Sequence, residues 1–367
     1  MSRVSHAIRS RSALALATAV LATLAALTAG CAGSDDEGAD GQALRTVGLM
    51  HVGTDHVPSS LAALTSQLEA EFGWDLPELE IDRCVEEKAA SCSFEGENLE
   101  LIWRNLEPEE ADPQAEVFVG QDVDVIVAFE DTSIEAAQKA TAEDAGRIPI
   151  VFLHPSDPVR DGLVNSVARP DRNLTGLYGA RDEVAKQLEL YQLLVPRLHR
   201  VLTLIDPTDT RTERLLEATE SAVATLERPL ELDVREASSA KDLRRIFRSL
   251  RRGEVDGAFL LSPSLRLNHS ALTIQLARKA RLPVQAHRKE WVEQGALFSY
   301  GIDLPLIGRE GARYVDSLLR GKAPGDLPVR EVSKIELAIN LDTAARLGIK
   351  VPQEMIIRAD EAYRGGP

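Results

Sequence analysis

The chain has 367 residues, of which 44% are apolar and 4% aromatic, and a formal net charge of −16. That length and apolar share suffice for two α/β domains of ordinary size. The acidity argues against nucleic acid and an anionic membrane surface as partners, and the few aromatics leave little to stack on bases.

Taken in chain order, the first segment lies outside the fold. Arg3, Arg9 and Arg11 form a basic n-region, and residues 13–27 form an apolar run of signal-peptide length, short for a membrane span. It ends in "LTAGC", which resembles a bacterial lipobox. Cleavage would fall after Gly30, and Cys31 would carry the lipid, although Thr28 stands where such motifs prefer Leu. An ordinary signal peptide followed by a chance cysteine is the plainer alternative. Removing the three arginines of residues 1–30, which hold no acid, takes the charge from −16 to −19. Residues 31–45 read as a small, acidic, flexible tether.

"TVGLMHVG" (46–53) predicts a strand and "SSLAALTSQLEAEFG" (59–73) a helix capped by Ser59 or Ser60. Cys84 and Cys92 follow, in a stretch with little apolar material. In an exported chain they read most simply as a disulfide, closing a loop for about 2–3 kcal/mol in the chain-entropy model. A metal site is the weaker alternative. "NLELIWRN" (98–105) alternates as a strand, and "PEEADPQAEVFVGQ" (108–121) predicts a short helix. "VDVIVAFE" (123–130) is the near-continuous apolar run of a central parallel strand. "TSIEAAQKATAEDAG" (132–146) is helical and "IPIVFLH" (148–154) is the next strand.

Residues 154–176 are rich in proline, glycine and aspartate, too broken for a helix. They still carry Leu163, Val164 and Val167, which suits a connection packed between two bodies. The strand–helix alternation then restarts and runs from "DEVAKQLELYQLLVPRL" (182–198) to "PVQAH" (283–287). "GALFSYGID" (295–303) predicts a strand, and "PLIGREGARYVDSLLRG" (305–321) a helix whose Gly308, Gly311 and Ala312 permit close packing. A last strand and helix lie in "EVSKIELAINLDTAARLG" (331–348). Such alternation means parallel sheets covered by helices. The tail is too short for a third domain, so it returns to both bodies in turn.

"DPVRDGLVNSVARPDRNLTG", "LELYQLLVPRLHRVLTLIDP", "GALFSYGIDLPLIGREGARYVDSLLRGKAPGDLPV" and "ELAINLDTAARLGIKVPQEMIIRAD" together resemble the ABC transporter substrate-binding protein family whose best-known members bind aromatic amino acids. The likeness runs from about Thr46 to Ala362, and its chief departure is the segment 75–97. It implies a type I periplasmic-binding-protein fold, with two Rossmann-like α/β lobes of parallel sheet joined by three crossovers. Lobe one would be 46–170 and 302–330, and lobe two 177–298 and 338–367. The hinge crossovers would be 154–176, 298–303 and 330–338. The resemblance implies a monomer that captures a small-molecule ligand and delivers it to an ABC permease and its ATPase. It would do so outside the cytoplasm, tied to the membrane by its lipid.

In open α/β sheets ligands bind beyond the carboxyl ends of the strands. Those ends supply His51, Asp55, Glu130, Asp131, Thr132, Ser133, Ser156 and Asp157 in lobe one. Lobe two supplies Asp206, Thr210, Ser264 and His287, and the second crossover Tyr300 and Asp303. The simpler roles are helix caps for Thr132 and Ser133, a turn for Asp157 and a hinge hydrogen bond for Asp303. If Glu130, Asp131 and Asp303 face the cleft, their charge predicts a ligand with a cationic group, amino-acid-like or amine-bearing.

No nucleophile elbow, P-loop, zinc-protease or dinucleotide motif occurs, so neither an enzyme, a cofactor nor a metal is expected. A ligand-sensing adaptor that passes occupancy to a membrane signalling partner is the alternative function, since it needs the same closing cleft.

Overall fold

The computed structural model describes residues 44–52, 59–76, 91–142, 147–155, 157–170, 172–179 and 184–364. The expected signal peptide, Cys31, most of the tether, Asp55, Cys84 and Ser156 lie outside them, and with Cys84 the pairing to Cys92.

The first sheet contains seven strands: β1 (Arg45–Val52), β2 (Ser91–Glu95), β3 (Leu99–Leu106), β4 (Val125–Phe129), β5 (Ile150–Leu153), β6 (Leu174–Gly179) and β12 (Arg330–Val332). Their order is β12-β6-β5-β4-β1-β3-β2, and every neighbour pair is parallel except β2 with β3. β4, "VIVAF", is buried throughout, as a strand covered on both faces requires. The helices are α1 (Ser59–Phe72), α2 (Ala111–Gly120), α3 (Glu130–Ala142) and, from far along the chain, α9 (Leu304–Leu319). α1 and α9 cover one face, sealing a core around Trp74, Trp103 and Phe129. α2 and α3 cover the other, around Phe118 and Phe152.

The second sheet has the order β14-β13-β11-β10-β9-β7-β8. Its strands are β7 (Arg200–Ile205), β8 (Glu231–Glu236), β9 (Gly257–Leu260), β10 (Val284–Ala286), β11 (Phe298–Ile302), β13 (Ile335–Asn340) and β14 (Glu361–Tyr363). Only β13 with β11 is antiparallel. Its helices are α4 (Val184–Leu194), α5 (Thr212–Ala224), α6 (Ala240–Ser249), α7 (Pro263–Ala280), α8 (Lys289–Glu293), α10 (Leu341–Leu347) and α11 (Gln353–Arg358). Local signals set their ends. Ser239 accepts from the Asp242 amide at 3.2 Å to cap α6, and Asn340 accepts from the Thr343 amide at 2.7 Å to cap α10. Buried Tyr191 of α4 donates to the Pro283 carbonyl at 2.6 Å, pinning the helix to the sheet.

The two lobes are as the alternation predicts, but the connections fall elsewhere. The first crossover lies after Gly179, not within 154–176, because Leu174–Gly179 pairs in parallel with β5 as a further strand of the first sheet. Leu163 and Val164 are buried in that lobe's own core. β11 belongs to the second sheet, so the second crossover is the short step from Ile302 to Leu304. β12 belongs to the first sheet, and the third crossover runs from Val332 to Ile335. Part of the unusual 75–97 segment is ordered sheet, since β2 pairs antiparallel along β3 as an edge strand.

Candidate functional site

The carboxyl ends of the central strands of both sheets face one cleft of about 330 Å³. From the first lobe come Glu130 after β4, His154 after β5 and Gly179 at the end of β6. From the second come Arg211 before α5, Pro263 opening α7, and His287 and Arg288 after β10. Ile302 and Leu304 of the second crossover close the hinge side. A volume of this size suits a small solute.

Two backbone distortions mark the first lobe's rim. Glu130 and His154 both have φ of 67°, a left-handed conformation that residues with a Cβ rarely adopt. They follow neighbouring strands β4 and β5, and such strain clusters at ligand sites.

Ion pairs cross the cleft. Arg288 of the second lobe pairs with Glu130 of the first, and Arg211 pairs with Asp131. Arg214 lies 3.7 Å from Asp161, which follows β5. Arg211 is also gripped by Asp209 through a two-pronged contact of 2.8 and 3.2 Å. Burial opposes the Arg211 charge, but Asp209 and Asp131 more than offset it and raise the guanidinium pKa. Burial, helped by Asp131, raises the carboxyl pKa of both Glu135 and Asp161 beside this cluster. Burial, and then Arg288, push the His154 imidazole down to about 3, while Glu290 acts the other way. His287 is lowered as well, first by burial and then by Arg266 and Arg288. Both imidazoles are therefore neutral near pH 7. His287 stacks edge-on against Trp291, with 4.2 Å between ring centroids.

Four of the residues read from the sequence come together in this cleft: Glu130, Asp131, Asp157 and His287. Others take structural positions. His51 is fully buried on β1, its ring centroid 5.9 Å from that of Phe129. Ser133 is fully buried in the first turn of α3, and Thr132 is half-buried beside it. Asp206 anchors a polar knot, accepting from Thr208, Ser238 and Ser264 hydroxyls at 2.7, 2.9 and 2.8 Å. Burial works against the Asp206 charge, yet these hydrogen bonds hold its pKa below the usual range. Ser264 is thus committed to the knot, and Thr210 is exposed in the turn before α5. The Tyr300 carbonyl accepts from Gln187 at 2.9 Å within the second lobe. Asp303 caps α9 by accepting from the Leu306 amide at 2.9 Å and pairs with Lys334 at 2.7 Å, binding the second crossover to the third.

The arginines escaped sequence reading. Arg160, Arg211, Arg214, Arg266 and Arg288 all line the cleft. Their presence alters the electrostatic premise drawn from sequence, because Glu130 and Asp131 do face the cleft but meet guanidinium partners there. A bare excess of carboxylate, the ground for expecting a cationic ligand, is absent at those two positions. Arg288 lies in the strand-end loop that the topology marks, which is a usable signal. Arg211 and Arg214 lie in a turn and helix start with nothing to set them apart from surface arginines.

Residues 95–363 match the family described as ABC transporter substrate binding protein. The chain belongs to that family. It is 25% identical over 258 residues to the tyrosine-binding protein of Clostridioides difficile strain R20291, covering 70% of this chain and 72% of that one. Among solved structures, a conserved domain protein from Vibrio cholerae superposes with a TM-score of 0.71 at 26% identity, over 87% of this chain and 99% of the other. A Streptococcus domain solved with L-Trp superposes at 0.68, with 17% identity, over 88% of this chain and all of its own. The fold of this substrate-binding protein is the type I periplasmic-binding-protein arrangement. Among its described residues no helix is long and apolar enough to cross a membrane.

Proposed function

We propose that this substrate-binding protein is a lipid-anchored, extracytoplasmic monomer that captures a small amino-acid-like solute between its lobes and presents it to an ABC permease and its ATPase. One observation carries the reading. Strand ends from both lobes converge on a single cleft whose walls are joined by cross-lobe ion pairs, so a solute that contacts both walls favours closure by its differential affinity. The tyrosine-binding relative and the L-Trp-bound neighbour support an amino acid over a simple amine. The presence of both guanidinium and carboxylate groups in the cleft agrees with a solute carrying both charges.

A thermal-shift screen of the purified protein against amino acids, amines, nucleosides and sugars tests the solute class. An amino acid should raise the melting temperature most; a sugar or nucleoside doing so would overturn the reading. Anchoring rests on the "LTAGC" sequence at residues 27–31. Fatty-acid labelling should be lost in Cys31→Ser, and equal labelling of both forms would refute it.

A further inference from the structure

The lining of the cleft restricts its solute beyond the presence of charge. Among the described residues it contains no Phe, Tyr or Trp. Trp291 is buried at 3% exposure against His287 and belongs to the second lobe's core. The apolar side chains of the lining are aliphatic, among them Val184, Leu215, Leu267, Ile302 and Leu304. An aromatic solute is normally held by stacked or edge-on rings, and the described residues of this cleft offer it none of those carbon rings.

The second observation is the balance of the two ion pairs. Glu130–Arg288 and Asp131–Arg211 place two carboxylates and two guanidiniums on facing walls, with side-chain exposures from 7% to 22%. A zwitterion entering between them can exchange partners. Its carboxylate takes a guanidinium, and its ammonium takes the carboxylate so released. Every charge keeps a partner. A plain anion that opens either pair would strand its carboxylate, and a plain cation that takes Glu130 would strand Arg288, in a crevice where unpaired charge is costly, whereas Arg211 keeps Asp209. The volume of about 330 Å³ sits at the small end of ligand sites.

We propose that the solute is a compact zwitterion without an aromatic ring, bound by exchange of these two ion pairs; this rests on the amino-acid reading above and narrows it. Calorimetric titration of the purified protein with L-alanine, L-serine, L-proline and L-threonine, against L-phenylalanine, L-tyrosine and L-tryptophan, tests it. At least one compact zwitterion should bind roughly tenfold or more tightly than every aromatic. The decarboxylated and deaminated counterparts of the tightest binder (ethylamine and propionate for alanine) should give no measurable binding. An aromatic amino acid binding tightest, or a counterpart binding as well as its parent, would overturn the inference and leave the amino-acid reading standing. No binding by any amino acid would sink that reading instead. Arg288→Gln and Asp131→Asn should each weaken the best binder about tenfold with an unchanged circular-dichroism spectrum. Unchanged affinity in both variants would refute ion-pair exchange.

Discussion

Arg288 at the end of β10 pairs with Glu130 at the end of β4, and Glu130 holds a left-handed backbone where it does so. The pair joins residues 158 positions apart and ties one lobe to the other. Glu130→Gln and Arg288→Gln should each shift the lobes toward a more open arrangement, seen as a larger radius of gyration in small-angle scattering. In a double-mutant cycle read by urea denaturation, the pair should show coupling of about 1–3 kcal/mol, less than a fully buried pair because neither partner is wholly sealed from water. Independent effects of the two substitutions would show that the contact carries no net energy.

Gly308 lies on α9 where it crosses α1. A Cβ there would stand 2.0 Å from the Ser60 carbonyl oxygen, which is backbone and cannot swing aside. An exposed helical Gly→Ala change stabilises by about 1 kcal/mol. Here the sign should reverse, with Gly308→Ala lowering stability by about 1–3 kcal/mol through overpacking. Thermal denaturation of the variant checks it.

Trp74 closes the same helix pair from below. Its indole Nε1 donates to Asp316 at 2.9 Å, and Arg320 donates to the same carboxylate oxygen at 2.7 Å. Trp74→Phe should cost about 2–4 kcal/mol, from lost volume and a lost buried hydrogen bond. Asp316→Asn should cost less, because Trp74 keeps an acceptor. Equal losses in the two variants would contradict this division.

His154 gives the protein an acid sensitivity. Its folded pKa of about 3 lies well below the unfolded value of about 6.5. A histidine of this kind takes up a proton on unfolding once the pH falls below the unfolded pKa. Its contribution to stability is therefore intact above about 6.5 and falls by about 1.4 kcal/mol per pH unit as acid is added, until the folded pKa is reached. His287 acts in the same direction. His154→Gln should flatten the fall in unfolding free energy between pH 6.5 and 4, as urea titrations at each pH would reveal. An unchanged slope would show that the imidazole is solvated.

Most of the sheet architecture was legible because buried parallel strands leave continuous apolar runs. "VIVAF" and "IVFL" could not be mistaken for solvent-facing segments. β6 was harder. It follows a proline-rich stretch, and its glycines at 176 and 179 blur the strand pattern, so the first crossover is read too early. Gly176 is required because a Cβ would stand 2.0 Å from the Phe152 carbonyl oxygen of β5, a contact invisible before the strands are paired. The cleft was half legible. Strand ends located Glu130, Asp131, Asp157 and His287, since topology alone dictates those positions. Arg211 could not be found that way, because its meaning comes from Asp131, 80 residues away in the other lobe. His51 failed for the opposite reason: a strand end can turn a polar side chain into the core as easily as toward the cleft.

α9 belongs to the first lobe but is made after most of the second, whose β13, α10, α11 and β14 follow it. It supplies Ile307, Val315 and Leu318 to the first lobe's core, and β12 seals the sheet edge later still. A nascent chain that has emerged only as far as β11 leaves Leu61, Leu64 and Leu68 without that cover. Synthesis order and folding order therefore diverge. The second lobe's first strands can pair while the earlier-made lobe waits for its own tail. Neither lobe is a contiguous stretch of polypeptide, and a cut between β11 and α9 separates the first lobe into two pieces, neither of which holds a complete core.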